Sequence, residues 1–257
     1  MPAGRSAIIA ASADANPHPD LNILTKILRV LWIGEYRSAL LRTRVAASTE
    51  HDAILEGLAF DTVVDLGANR GQFALCARRL FPAARIVSFE PLPGPASTWR
   101  RVFAHDARAT LFEAAVGEQA GLGQMYVSRW DVSSSLLPIG QAQQYHFPFT
   151  QEARRQSVTV VRLADRLTRA DIAGRALLKL DVQGSELPAL RGSEELLERF
   201  ACVYVETSFI ELYTGQALAG DIVQYLGSRG FCLSCVANLS YGKSSRPIQA
   251  DFLFTRG

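Results

Sequence analysis

The spacing of apolar and polar positions changes character near residue 60. Before it, residues 21–45 carry Leu24, Ile27, Leu28, Leu31 and Trp32 at helical intervals. This periodicity predicts an amphipathic helix. After it, short apolar runs alternate with helical stretches. Strands are expected at 62–66, 85–89, 110–116, 157–161, 176–181, 201–206, 231–236 and 250–254. Residues 124–127 are a possible extension of the sheet. Helices are expected at 72–81, 93–105, 163–167, 186–200 and 217–229. Strands that alternate with helices imply a mostly parallel sheet covered on both faces.

Residues 128–157 break this rhythm. They hold Ser133-Ser-Ser135, Pro138, Gly140 and the aromatic run Tyr145-His-Phe-Pro-Phe149. An irregular stretch of this length inside an α/β pattern is usually functional. At the other end, the first twenty residues are rich in Ala, Ser, Asp and Pro and read as a flexible tail. The organisation expected is therefore a tail at 1–20, a helical extension at 21–58 and one α/β domain at 59–257.

Composition narrows the classes. The 257 residues are 48% hydrophobic and 20% charged, with a net charge of +2. That supports a packed core and speaks against a nucleic-acid partner. Charge is uneven, however: residues 21–45 set Lys26, Arg29, Arg37, Arg42 and Arg44 against the single acid Glu35. Two readings stay open: a helix with its basic face in water, or a peripheral contact with a membrane surface or lipid-linked substrate. No apolar run is long enough to span a bilayer. Cys232-Leu-Ser-Cys235 lies in a strand-like run, where residues three apart face opposite ways. It reads as two structural thiols, and a reduced, cytoplasmic chain is expected.

The pointed chemistry sits at strand ends. Asp65, Glu90, Asp181 and Glu206 each close an apolar run. Ligands of open α/β sheets bind outside the carboxyl ends of the strands. The first strand runs into Asp65-Leu-Gly-Ala-Asn-Arg-Gly71, a glycine turn opening a helix, where backbone N–H groups are free. Glu90 follows Asp65 by 25 positions, about where an acid holds a ribose diol.

These residues resemble motif I of class I S-adenosylmethionine-dependent methyltransferases. More narrowly, the chain resembles the FkbM family. The pieces that carry the resemblance are Val63-Val-Asp-Leu-Gly-Ala-Asn-Arg-Gly71, Ser88-Phe-Glu-Pro91, Ala114-Ala-Val-Gly117, Ser134-Ser-Leu136, Leu178-Lys-Leu-Asp-Val-Gln-Gly-Ser-Glu186, Tyr204-Val-Glu206 and Gln249-Ala-Asp-Phe-Leu-Phe254. They run in family order over about residues 60–257. The resemblance implies a Rossmann-like seven-stranded sheet, mostly parallel with the last strand antiparallel, and S-adenosylmethionine as cofactor. It implies that Gly67, Ala68, Asn69 and Gly71 cradle the methionine part, Glu90 holds the ribose, and the backbone of Ala115 and Val116 meets the adenine. The matching pieces add Asp65, Phe89, Pro91, Ser134, Ser135 and Asp181 to the expected cofactor shell. Gln72-Phe73 stand where the family often has a small residue and Ser or Thr, a difference not expected to disable binding.

The resemblance suggests a sugar hydroxyl of a glycan or glycosylated natural product as acceptor. An alcohol must lose its proton as it attacks, so a positioned base helps. The candidates are Asp181, Glu206, Glu186 and His146. Each has a plainer reading: Asp181 pairs with Lys179, Glu186 favours a helix N-terminus, Glu206 pairs with a loop arginine, and His146 is a loop residue. Asp181, Glu206 and Asp251 could share a divalent ion, but no Asp-x-Asp or His cluster supports one, so no metal is expected. A nicotinamide-dependent oxidoreductase fits less well: Asn69 stands where that fingerprint wants glycine, and no Tyr-x-x-x-Lys pair follows. A non-catalytic nucleotide-binding module, or methylation of a non-sugar small molecule or a protein, are the remaining readings. Oligomerisation is possible.

Overall fold

The computed structural model describes residues 19–242 and 245–256, with side chains from residue 26 onward. The tail expected at 1–20 lies outside the described residues up to position 18. Pro19 and Asp20 open the first helix.

The N-terminal periodic stretch forms two helices, α1 (Pro19–Trp32) and α2 (Gly34–Thr43). They part at Ile33, whose backbone is extended, ahead of Gly34. A 3-10 turn (Thr49–His51) and the short α3 (Asp52–Leu55) follow. Val30, Tyr36, Ala39, Val45, Ala47 and Leu55 are buried in one core with Val63, Ile86 and Leu177 of the sheet. The outward side of α1 is the reverse: Ile27, Leu28, Leu31 and Trp32 are all exposed, Trp32 to 88%.

The central sheet begins with β1 (Thr62–Leu66), α4 (Gln72–Leu80), β2 (Arg85–Phe89), α5 (Pro93–Val102) and β3 (Ala109–Phe112). Here the chain leaves the sheet. The strand expected at 110–116 is two pieces, because after Phe112 the chain turns and β4 (Ala115–Val116) pairs elsewhere. β4 joins β5 (Gly121–Ser128) and β6 (Glu152–Val161) in a separate three-stranded sheet, with α6 (Gln141–His146) between β5 and β6. Residues 124–127 therefore do not extend the main sheet.

The chain re-enters the centre as β7 (Ala176–Leu180), followed by α7 (Glu186–Gly192), α8 (Glu194–Leu197), β8 (Cys202–Ser208), α9 (Ala219–Gly227), β9 (Phe231–Tyr241) and β10 (Pro247–Arg256). The helix expected at 186–200 breaks at Ser193, whose hydroxyl donates to Ala189 O at 2.8 Å. Gly192 there lies so close to Gly117 O that a Cβ would come within 2.1 Å of it. The sheet order is β3-β2-β1-β7-β8-β10-β9. The first five strands are parallel; β10 inserts antiparallel between β8 and β9. Strand order reverses between β1 and β7, which makes their carboxyl ends the switch point where a ligand crevice opens. No helix among the described residues is long and apolar enough to cross a membrane.

Candidate functional site

A cavity of about 500 Å³ opens at this switch point. Its floor is the turn after β1. Gly67 N and Ala68 N donate to Phe89 O, each at 3.0 Å, which folds the turn over the end of β2. Gly67 has φ +82°, and a Cβ there would lie 1.9 Å from Asp181 O. Only a residue without a side chain lets the ends of β1 and β7 approach this closely.

Glu90 ends β2 and is buried. Its Oε2 accepts from Asn69 N at 2.9 Å and its Oε1 from Leu92 N at 2.8 Å. Each carboxylate oxygen has a further lone pair to offer the cavity that Glu90 lines. Burial pushes its carboxyl up to about 7, against the two backbone N–H groups, which favour the charged form.

Of the residues expected around the cofactor, Gly67, Ala68, Asn69, Glu90, Pro91, Ala115, Val116, Ser134 and Asp181 all line this cavity. Four lie behind it. Asp65 is fully buried beneath the turn, 3.5 Å from Lys179 Nζ. Phe89 stacks on Phe112 in the core. Gly71 caps α4. The Ser135 hydroxyl donates to Gln183 O. The irregular stretch after β5 forms a wall: Asp131, Val132, Ser134 and Leu136 line the cavity, and Asp131 is clamped to Arg70 by two hydrogen bonds. The aromatic run further on points away, with Tyr145 and Phe149 exposed.

A second, polar cavity of about 240 Å³ adjoins the first and shares Ser48, Glu50, His51, Lys179 and Asp181 with it. Its walls come from β8, β10 and β9. Alternation along a strand places Tyr204 and Glu206 on one face. Pairing sets Asp251 directly opposite Glu206. Gln183, with φ +53°, bridges the two cavities: its amide donates to Asp181 Oδ1 at 2.7 Å and Glu206 Oε2 at 3.0 Å. Gln249 donates to the other Glu206 oxygen at 2.8 Å. Burial, then the charges of Asp181 and Asp251, raises the Glu206 carboxyl well above its ordinary range.

Lys179 lies 3.4 Å from Asp181 Oδ2 as well as against Asp65. Burial works to lower its pKa, and the surrounding carboxylates, Asp181 first, raise it overall. The lysine stays charged between the two acids.

The expected bases separate. Asp181 and Glu206 meet at Gln183. Glu186 is buried and accepts from Gly184 N at 3.0 Å and Val182 N at 3.3 Å, so it caps its own turn outside both cavities. His146 ends α6 and packs at Gly242, away from the linings. His51 and Tyr204 are among the residues of the polar cavity that had no such expectation attached. No group of three or more His, Cys, Asp or Glu arranged to hold a metal occurs among the described residues.

Comparison with known proteins gives the family. A model of the methyltransferase FkbM domain matches residues 65–233. The chain is 30% identical over 179 residues to 2-O-methyltransferase NoeI of Sinorhizobium fredii, covering 65% of this chain and 71% of that protein. It is 28% identical over 195 residues to 31-O-demethyl-FK506 methyltransferase FkbM of Streptomyces tacrolimicus, covering 66% and 72%. A solved precorrin-6y C5,15-methyltransferase from Geobacter metallireducens covers 86% of this chain and 87% of its own, at 12% identity and a TM-score of 0.43. The family model, matched across the glycine turn, Glu90, Asp181 and Glu206, settles the assignment: this chain belongs to the FkbM methyltransferase family and uses S-adenosylmethionine.

Proposed function

We propose that the protein methylates a hydroxyl of a sugar, in a glycan or a glycosylated natural product, by in-line transfer. The observation that carries this is the polar cavity beside the cofactor cavity. Carboxylates of Glu206 and Asp251 accept from sugar hydroxyls, and the amides of Asn238 and Gln249 on the same wall donate to them. The two relatives named above support the O-linked part, since both carry O-methyl transfer in their names.

S-adenosylmethionine supplies a methyl group already activated on a positive sulfur. The residues of this chain hold and shield it. Glu90 accepts from the ribose hydroxyls, and the turn at Gly67–Ala68–Asn69 faces the methionine end. Lys179 pairs with Asp181 next to that turn. Asp131 and Leu136 close the wall, which limits competing attack by water.

Two expectations follow. Ribose hydroxyls donate to a Glu90 that is charged, so binding favours its ionised form. Titration calorimetry of S-adenosylmethionine should show affinity rising from pH 6 to 8 with proton release, and Glu90→Ala should lose at least about 100-fold in affinity. Affinity in Glu90→Ala within threefold of wild type would remove Glu90 from the site. Methyl transfer to methyl glycosides of neutral hexoses tests the acceptor class.

The free state of all four cysteines, with Cys232 and Cys235 exposed, supports a cytoplasmic setting. The outward apolar row of α1 supports a peripheral contact with an anionic membrane surface, because Arg37, Arg42 and Arg44 of the segment that follows are exposed and none is in an ion pair among the described residues. Cosedimentation with vesicles of phosphatidylglycerol and phosphatidylcholine should fall at least fivefold in a Leu31→Glu, Trp32→Glu variant. Equal sedimentation of both proteins would refute the contact.

A further inference from the structure

We propose that His51 is the catalytic base that takes the acceptor hydroxyl's proton, with Asp251 and Tyr204 as its positioning residues. The inference rests on the hydroxyl-methylating reading above and assigns the chemistry of that same site.

His51 ends the 3-10 turn ahead of α3 and lines both cavities. It therefore stands where an acceptor in the polar cavity meets the cofactor. The ring is fixed edge-on against Phe73, at 5.3 Å between centroids, and against Tyr204, at 5.4 Å. Hydrogen bonding selects its tautomer. The Tyr204 hydroxyl donates to Asp251 Oδ2 at 2.8 Å, which uses its single proton. His51 Nδ1 lies 2.8 Å from the same hydroxyl oxygen and 3.4 Å from Asp251 Oδ2. An unprotonated Nδ1 would aim its lone pair at that carboxylate. Nδ1 therefore carries the proton, and Nε2 is left with a free lone pair.

Asp251 is suited to this arrangement. Burial alone would raise its carboxyl, but hydrogen bonds from His51, Asn238 and Tyr204 hold it below the ordinary range. It stays charged and stabilises the imidazolium that forms. The other charged groups at this boundary are Glu50, Lys179 and Asp181. The competing acids are placed or held differently: Glu206 lines only the polar cavity, away from the cofactor side. Glu206 has one amide on each oxygen, and Asp181 is shared between Lys179 and Gln183.

The step balances simply. The acceptor oxygen forms a bond to the methyl carbon as the carbon–sulfur bond breaks, and that electron pair returns to sulfur. The hydroxyl proton moves to His51 Nε2. The products are a methyl ether, a neutral thioether and an imidazolium, which later releases its proton to water.

Two measurements on the full chain test this. The first needs no acceptor: nitrogen NMR of 15N-histidine-labelled protein, with His51 assigned by its absence from His51→Asn. The expected state is Nδ1–H with Nε2 unprotonated, and that preference should weaken in Asp251→Asn. An Nε2–H tautomer overturns the proposal. The second uses methyl glycosides of neutral hexoses. His51→Asn, which keeps an amide donor near the Nδ1 position, should lose about 10²- to 10⁴-fold in kcat, and its calorimetric affinity for S-adenosylmethionine should stay within threefold. Imidazole should restore part of the rate to His51→Ala. A His51→Asn kcat within threefold of wild type overturns the base while the sugar reading stands. If wild type methylates none of the glycosides, the sugar reading falls and the NMR result alone decides His51.

Discussion

Gly67→Ala should lower the melting temperature by at least about 10 °C, or prevent the folded protein from accumulating. Two costs add. A non-glycine residue at φ +82° costs roughly 1–2 kcal/mol. The new Cβ would also sit 1.9 Å from Asp181 O, so β1 and β7 must move apart at their ends. That displacement breaks the hydrogen bond from Asp181 N to Leu66 O, now 3.1 Å, and opens the core under the cavity. Together they reach the range of about 4 kcal/mol that marks exceptional substitutions. Gly57→Ala separates the two: Gly57 has φ +84°, with nothing within 4 Å of the Cβ position. It should lose only the backbone part, about 2–8 °C at the roughly 2–4 °C per kcal/mol of a domain this size. Calorimetric melting of both variants checks this. Equal losses would mean the approach of Gly67 to Asp181 carries no weight.

Lys179→Met should destabilise the protein by about 3–5 kcal/mol, the usual result of removing one partner from a buried ion pair. Asp65 is the reason. It is fully buried, neither of its oxygens has a hydrogen-bond partner, and Lys179 is the cation beside it. Burial raises the Asp65 carboxyl, and Lys179 pulls it back. Without the lysine the carboxyl rises further and binds its proton over a wider range. A carboxyl whose folded pKa exceeds its unfolded value loses stability as pH rises from the unfolded value to the folded one. The deficit of Lys179→Met relative to wild type should therefore grow between pH 5 and pH 8 in denaturant unfolding. Asp65→Asn in the same background should recover most of it at pH 8. A deficit independent of pH, or no recovery, would show that Asp65 is not the group left stranded.

Much of the cofactor half was legible because it is local. The glycine turn, the helix it opens and Glu90 lie within 30 residues, and each acid closed an apolar run. Asp65 shows the limit of that signal. An acid at a strand end marks a polar environment without saying whether it faces the ligand or supports it from below. The acceptor half was harder, because it is assembled across the chain. His51 sits in the polar stretch Thr49–Asp52 with no flanking period, and its partner Asp251 is 200 positions away. Only the insertion of β10 between β8 and β9 brings them together. His146 drew attention through its aromatic neighbours, of which Tyr145 and Phe149 are exposed and Phe147 packs with Leu212, Tyr213 and Ile248, away from both cavities. The small sheet was missed for a related reason: the first half of β6 is exposed and polar, and it is held by backbone pairing with β5.

The side chain of Gln183 stands between two halves that come from different parts of the chain. The cofactor side is built mainly from the middle of the chain. The polar side is built from the segment at 48–51 and from β8, β9 and β10. Substitutions on β8, β9 or β10 can therefore reshape the polar cavity without touching the lining of the cofactor cavity, whereas those at 48–51 alter both. Changes confined to those three strands leave the cofactor's seat in place, provided the Gln183 amide keeps its hold on Asp181 and Glu206.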